Sequence, residues 1–275
     1  MVSRPVALLR ASHIQPTLAV TAISTALAVS VGRGRGAVAV ALAVLAGQLS
    51  VGWSNDYLDR ERDRRVGRRD KPIPAGEVPA AVVGGAAATA LVLCVPLSLL
   101  SGWRAAAAHL VGVVAAWAYN GWLKATVASV VPYALAFGLL PAFVTLGLAA
   151  HPWPRWWAMA SAALLGAGAH FVNTLSDRAD DALVGVRGLP HRFRPTASLL
   201  VGAVLLGAAT LVGTVLPDGA PGPAGIGLTA AAGVSLAAVV GAAATGRSRG
   251  AWSLTLCTAA LAVSALLVNG TSVTA

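Results

Sequence analysis

Apolar residues run along this chain in long stretches, with the polar ones gathered between them. Nine stretches approach the ~20 residues that a membrane-spanning helix needs. They lie near 15–31, 37–54, 79–101, 104–122, 127–149, 154–173, 196–216, 224–244 and 251–269. Pro16, Pro79 and Pro154 stand where helices would begin, as first-turn prolines do. Arg4 and Arg10 precede an apolar run in the manner of a signal peptide. Eight further spans follow, so this run is expected to be an uncleaved first helix. Most connections are short and rich in Gly and Pro, like the one after Leu216, and read as simple turns. Two are long, about 55–78 and 174–195.

Composition agrees with the pattern. The chain has 275 residues, 57% hydrophobic and 11% charged, whereas a soluble domain carries about a quarter charged residues. With a mean hydropathy of +0.74, lipid is the expected solvent. A single domain over 1–275 is expected, all-α, with nine transmembrane helices around a central cavity capped by two Asp-rich cytoplasmic loops. Cys94 and Cys257 fall inside apolar spans without metal-ligand spacing, so neither a disulfide framework nor a zinc site is implied.

The net charge of +10 raises nucleic acid as a partner. The basic residues sit in short loops between spans, which the positive-inside rule explains better, and nucleic acid is set aside. With the N-terminus in the cytoplasm, 16 of the Lys and Arg residues fall on the cytoplasmic side. Only four, Arg33, Arg35, Arg104 and Arg155, fall on the other. Both long connections then share the cytoplasmic side.

Of ten acidic residues, all but Asp218 lie in those two connections. Charge needed only for solubility would be scattered. The first cluster reads N-D-Y-L-D-R-E-R-D from Asn55 to Asp63. If the second helix continues through it, Asp56, Asp59 and Asp63 fall within about 60° on one face, with Asn55 on its flank. The second cluster reads D-R-A-D-D, with Asp177 and Asp181 at i, i+4 and Asp180 beside them. Carboxylates this close repel unless a cation sits among them. Oxygen ligands suit a hard ion such as Mg²⁺, which completes its shell with water and phosphate oxygens. The alternative is two surface charge networks with the basic neighbours. Lys71, Arg69, Lys124, Arg187 and Arg192 flank the clusters. They either neutralise a diphosphate or only set topology.

These residues resemble the UbiA superfamily of intramembrane prenyltransferases. Asn55, Asp56, Asp59 and Asp63 match its N-D-x-x-D-x-x-x-D motif in full, and Asp177 and Asp181 match its D-x-x-x-D motif. Lys71-Pro72-Ile73-Pro74-Ala75-Gly76 is similar to the segment that often follows the first motif, with Lys in place of Arg. Gly185-Val186-Arg187 is similar to the continuation of the second, and Tyr119 and Lys124 to a Tyr and Lys after the fourth helix. The resemblance implies nine transmembrane helices, two or more Mg²⁺ ions, a polyprenyl diphosphate donor and a lipophilic acceptor, aromatic or not. It implies metal ligation by Asn55, Asp56, Asp59, Asp63, Asp177, Asp180 and Asp181. Asn55, Lys71, Lys124 and Arg187 would meet the diphosphate, and Asp59, Asp63, Asp177 and Asp181 would act in catalysis. The expected location is the bacterial inner membrane, amid its lipid, with both motifs cytoplasmic.

One position departs from the 4-hydroxybenzoate branch, which commonly has an Asp seven residues before its second motif. Here it is His170. Two helical turns put it about 10.5 Å deeper on the face of Asp177. It is either a proton acceptor or a hydrogen-bonded polar residue between helices. His109, near the other membrane face, is expected to be structural. Trp53, Trp117, Tyr119 and Phe171 either stabilise a carbocation by cation–π contact or anchor the membrane interface. Three functions are consistent with this pattern: prenyl transfer to a second substrate, cyclisation of the donor alone, and transport or lipid binding. Acids at the midplane would favour the last, and the midplane segments lack them.

Overall fold

The computed structural model describes residues 3–219, 221–245 and 248–274. Arg247 and the Arg249 side chain, which enter the charge asymmetry, lie outside the described residues. Among the described residues every regular element is helical. A short α1 (Arg4–Ala11) precedes α2 (Ile14–Ser30), α3 (Gly36–Arg65), α4 (Ala80–Leu99) and α5 (Trp103–Gly121). Then come α6 (Val130–Gly138), α7 (Leu140–Thr145), α8 (Trp156–Leu183), α9 (Pro195–Val215), α10 (Pro223–Ala244) and α11 (Ser248–Val268).

Seven helical stretches are long and apolar enough to cross a membrane: α3, α4, the α6–α7 stretch, α8, α9, α10 and α11. Of the nine expected spans, α2 is apolar but only 17 residues long, and α5, which carries Arg104 and His109, is not among the seven. Val92, Val114 and Val234 point outward from α4, α5 and α10. Such side chains would promote association in water and are at home in lipid. Trp103, Trp122, Trp153 and Trp156 are exposed near helix ends, as interface anchors are. The chain is an integral, multi-pass membrane protein.

Two expectations are corrected. The acidic clusters are not loops: α3 runs on through Asp63 to Arg65, and α8 through Asp181 to Leu183. Ion pairs one turn apart, Arg62 with Asp59 at 3.0 Å and Arg64 with Glu61 at 2.8 Å, support the polar end of α3 as helix. The 127–149 span is not one helix either. It breaks at Leu139, because Pro141 has no N–H to continue the ladder.

Consecutive helices pack on one another, and the ring closes where α11 and the turn Gly270–Val273 meet α2. α8 lies inside, with 56% of its apolar stretch buried, and α10 outside, with 17%. Small residues set the closest approaches. A Cβ on Gly52 would stand 2.1 Å from the Ser12 carbonyl oxygen, so α3 presses directly on the α1–α2 corner. A Cβ on Gly166 would stand 2.5 Å from the Tyr133 carbonyl oxygen, which fixes α8 against α6.

Candidate active site

At the polar ends of α3 and α8 a cavity of about 420 Å³ opens between α2, α3, α5, α6 and α8. Its mouth is polar, with Asn55 from α3 and Asp177 and Asp181 from α8. Its inner wall is largely apolar and aromatic, with Val20, Val51, Tyr119, Tyr133 and Phe137. From Asp181 down to Ala169, both lining residues, the cavity follows α8 for about 18 Å.

Behind the mouth the α3 acids are sunk among cations. Asp56, with a side chain 2% exposed, accepts from Lys71 Nζ at 2.6 Å and from His13 Nε2 at 3.0 Å. Asp59 accepts from Lys124 Nζ and from Arg62 Nη1, the latter at 3.0 Å, while Asn55 Nδ2 reaches its other oxygen at 3.2 Å. Asp63 Oδ2 stands 3.8 Å from Lys71 Nζ and is buried without a hydrogen bond. The Lys71 segment is held by packing: Ile73 and Val78 bury against Ala7 and Ala11 of α1, and Arg10 pairs with Glu77 at 2.7 Å. Gly76, at φ 72°, makes the turn.

The α8 acids are more open and are tied from elsewhere. Arg68, just past α3, donates to Asp177 at 3.3 Å and Asp180 at 3.0 Å, and holds Asp70 at 2.8 Å. It thus bridges the two acid-bearing ends. Asp181 accepts from His191 Nε2 at 3.1 Å. Burial alone would lower the Lys71 pKa, but the Asp56 and Asp63 charges outweigh it and raise it above the ordinary value. For Lys124, burial outweighs the Asp59 charge and the pKa falls below it. The Arg68 hydrogen bonds hold the Asp70 carboxyl below the usual range and raise the Arg68 guanidinium in turn.

The site residues expected from sequence divide into groups. Asn55, Asp177 and Asp181 line the cavity. Asp56, Asp59, Asp63, Lys71 and Lys124 lie behind its mouth in the ion-pair network, and Asp180 is held by Arg68. Arg187 lines a different hollow. His170 is fully buried and does not line the cavity wall. Its ring packs behind Tyr119 and Tyr133, with centroids 5.5 and 4.8 Å away, and its Nε2 meets Ser129 Oγ at 2.9 Å. Ser129 Oγ also accepts from the Leu189 amide at 2.8 Å, so His170 holds the chain after the second motif. Of the aromatic candidates only Tyr119 lines the cavity. Trp53 donates to the Leu8 carbonyl, Trp117 to Ser50, and Phe171 is buried.

Sequence reasoning missed His13, Arg68, Asn120, Tyr133 and His191. His13 sits at the α1–α2 corner in the left-handed region, φ 52°, unusual for a non-glycine and frequent at functional sites. No spacing points to these residues, since the partners of His13 and Arg68 lie 43 and up to 112 residues away.

A multi-pass helical protein with two acid-tipped helices at the mouth of an apolar cavity is the class that fold and site define. The chain belongs to the UbiA prenyltransferase family, whose pattern matches residues 15–255. It is 33% identical over 193 residues to the bacteriochlorophyll synthase 33 kDa chain of Cereibacter sphaeroides, a match covering 63% of this chain and 61% of that one. The counterpart from Rhodobacter capsulatus is 31% identical over 196 residues, covering 63% of this chain and 61% of its own. The chain thus spans about three-fifths of the length of these relatives. Among solved structures, a UbiA homologue from Archaeoglobus fulgidus bound to GPP and Mg²⁺ shares the fold with a TM-score of 0.67. It is 19% identical, over 97% of this chain and 100% of that one. A digeranylgeranylglyceryl phosphate synthase structure has a TM-score of 0.65 at 16% identity, over 98% of this chain and 99% of that one.

The donor set fits the Mg²⁺ ions that the family implies. The acids offer only hard oxygen ligands, and Asp63 Oδ2 is a buried acceptor without a donor. Among the described residues no three acids or histidines already form a cage; Lys71, Lys124 and Arg68 are paired with Asp56, Asp59 and Asp180 instead.

Proposed function

We propose that this protein transfers the prenyl group of a polyprenyl diphosphate to a lipophilic acceptor, acting as one transmembrane unit. The observation that carries this reading is the cavity itself, with α8 carboxylates at its mouth, the α3 carboxylates just behind, and a largely apolar and aromatic wall within. A diphosphate suits the mouth and a prenyl chain suits the interior. The A. fulgidus homologue, solved with DMAPP and with GPP, each with Mg²⁺, supports it, as do relatives named for bacteriochlorophyll synthesis.

Asn55, Asp56, Asp59, Asp63, Asp177, Asp180 and Asp181 would hold Mg²⁺. The ion would polarise the leaving diphosphate as the allylic C–O bond breaks. Lys71 and Lys124, already paired with Asp56 and Asp59, would add donors for the leaving oxygens. Tyr119, Tyr133 and Phe137 would face the developing carbocation and exclude water. Asp59, Asp63, Asp177 and Asp181 orient the reacting end, and His170 acts as a positioning residue through Ser129. Counted with the seven apolar stretches, α2 and α5 would make nine crossings, and the basic asymmetry supports an N-terminus and both acidic ends on the cytoplasmic side of a bacterial inner membrane.

The test is incubation of the purified protein with Mg²⁺ and donors of several lengths, with and without host lipid extract, followed by mass spectrometry. A prenylated lipid that requires the extract is expected. A cyclised hydrocarbon or alcohol from donor alone would replace transfer with cyclisation.

A further inference from the structure

Arg187 lines a second hollow of about 430 Å³, together with Arg178, His191 and Arg192. No carboxylate lines it. Arg178 donates to the carbonyls of Pro190 at 3.1 Å, His191 at 3.0 Å and Phe193 at 2.5 Å. These bonds pin the 190–193 turn onto α8 and present Arg192 over the concavity that Arg187 also lines. Among the described residues neither the Arg187 nor the Arg192 guanidinium has a hydrogen bond or ion pair. Arg178 and Ala182, which line this hollow, lie about 100–140° around α8 from Asp177, so it occupies another face of the same helix end. His191 forms the partition. Its side chain is 8% exposed, and its Nε2 holds Asp181, which lines the first cavity.

Guanidinium groups gathered around a concavity repel one another, and an anion relieves that repulsion. The planar arginine fork matches phosphate oxygens two at a time. Leu183 and Phe193, exposed and next in sequence to Ala182 and Arg192, add an apolar margin.

We propose that this hollow is an anion site that takes a phosphate group, separate from the cavity lined by Asp177. The phosphate is carried by an anionic lipid headgroup at the membrane surface or by free diphosphate in solution. The inference does not depend on the prenyl-transfer reading.

The test compares the full chain with an Arg187→Gln/Arg192→Gln double variant. Both side chains are exposed, so the variant is expected to fold, and thermal unfolding in detergent checks this. Native mass spectrometry counts phosphatidylglycerol retained from nanodiscs against a phosphatidylcholine control. A titration with inorganic diphosphate in the presence of a chelator reads metal-independent binding. Loss of two charge-assisted contacts is expected to weaken phosphatidylglycerol binding about tenfold or more. A tenfold loss confined to diphosphate identifies the free anion as the ligand. Equal binding of both probes by both proteins overturns the site. Should the variant fail to fold, phenylglyoxal labelling of the unmodified chain decides. Protection of Arg187 and Arg192 by either probe supports the site, and protection by neither overturns it.

Discussion

The two acidic helix ends share a pattern of carboxylates but not their surroundings. On α3, Asp56 and Asp63 are buried beside Lys71, and Asp59 is tied to Lys124. On α8, the Asp177 side chain is 52% exposed and that of Asp180 38%, and one arginine from past α3 reaches both. The α3 half is thus built into the fold, while the α8 half is closed on it by a solvent-side bond. Similar spacing yields a fixed half and an adjustable half.

The comparison breaks first at the chemistry. If both halves serve one reaction, Asp59→Ala and Asp181→Ala should each lower turnover on the order of a thousandfold, with the protein still inserted. Near-normal turnover in either variant would reduce that helix end to a charged surface. Removing divalent ions should silence both halves together, and Mg²⁺ or Mn²⁺ should restore activity. Product formed under thorough chelation would count against the shared metal site.

The halves should then separate in stability. Lys71→Met leaves Asp56 buried with only His13, which should cost about 3 kcal/mol in reversible unfolding in detergent. Arg68→Ala breaks half-exposed pairs and should cost about 1 kcal/mol or less. Equal losses would erase the distinction between fixed and adjustable halves. The smallest effect is expected at His170. Gln keeps a polar partner for Ser129, so His170→Gln should leave the product pattern unchanged and kcat within about tenfold. A diverted product would return His170 to the reaction itself.

Much of this was legible from spacing. Eight of the nine apolar stretches matched single helices, and the periodicity of Asp56, Asp59 and Asp63 anticipated that α3 extends past its apolar part. The expected loops failed because hydropathy reports a preference for lipid, whereas helix formation also follows from local ion pairs such as Arg62 with Asp59. The broken 127–149 stretch had its signal in Pro141. His170 was misplaced for a different reason. Seven residues give the correct face of α8, but Tyr119 and Tyr133 occupy the space between that face and the cavity, and only packing reveals them. Arg187 follows the second motif in sequence, yet it lines the hollow on the Arg178 face of α8 rather than the cavity of Asp177.

The corner at His13 has a practical consequence. Gly52 presses against Ser12, and the next residue, His13, grips Asp56. The first short helix, ahead of every apolar stretch, is therefore mechanically coupled to the acidic end of α3. A bulky fusion that pulls on α1 loads that grip. A tag intended only for purification belongs beyond the Gly270–Val273 turn, which closes the ring of helices on α2 and bears on none of the α3 acids.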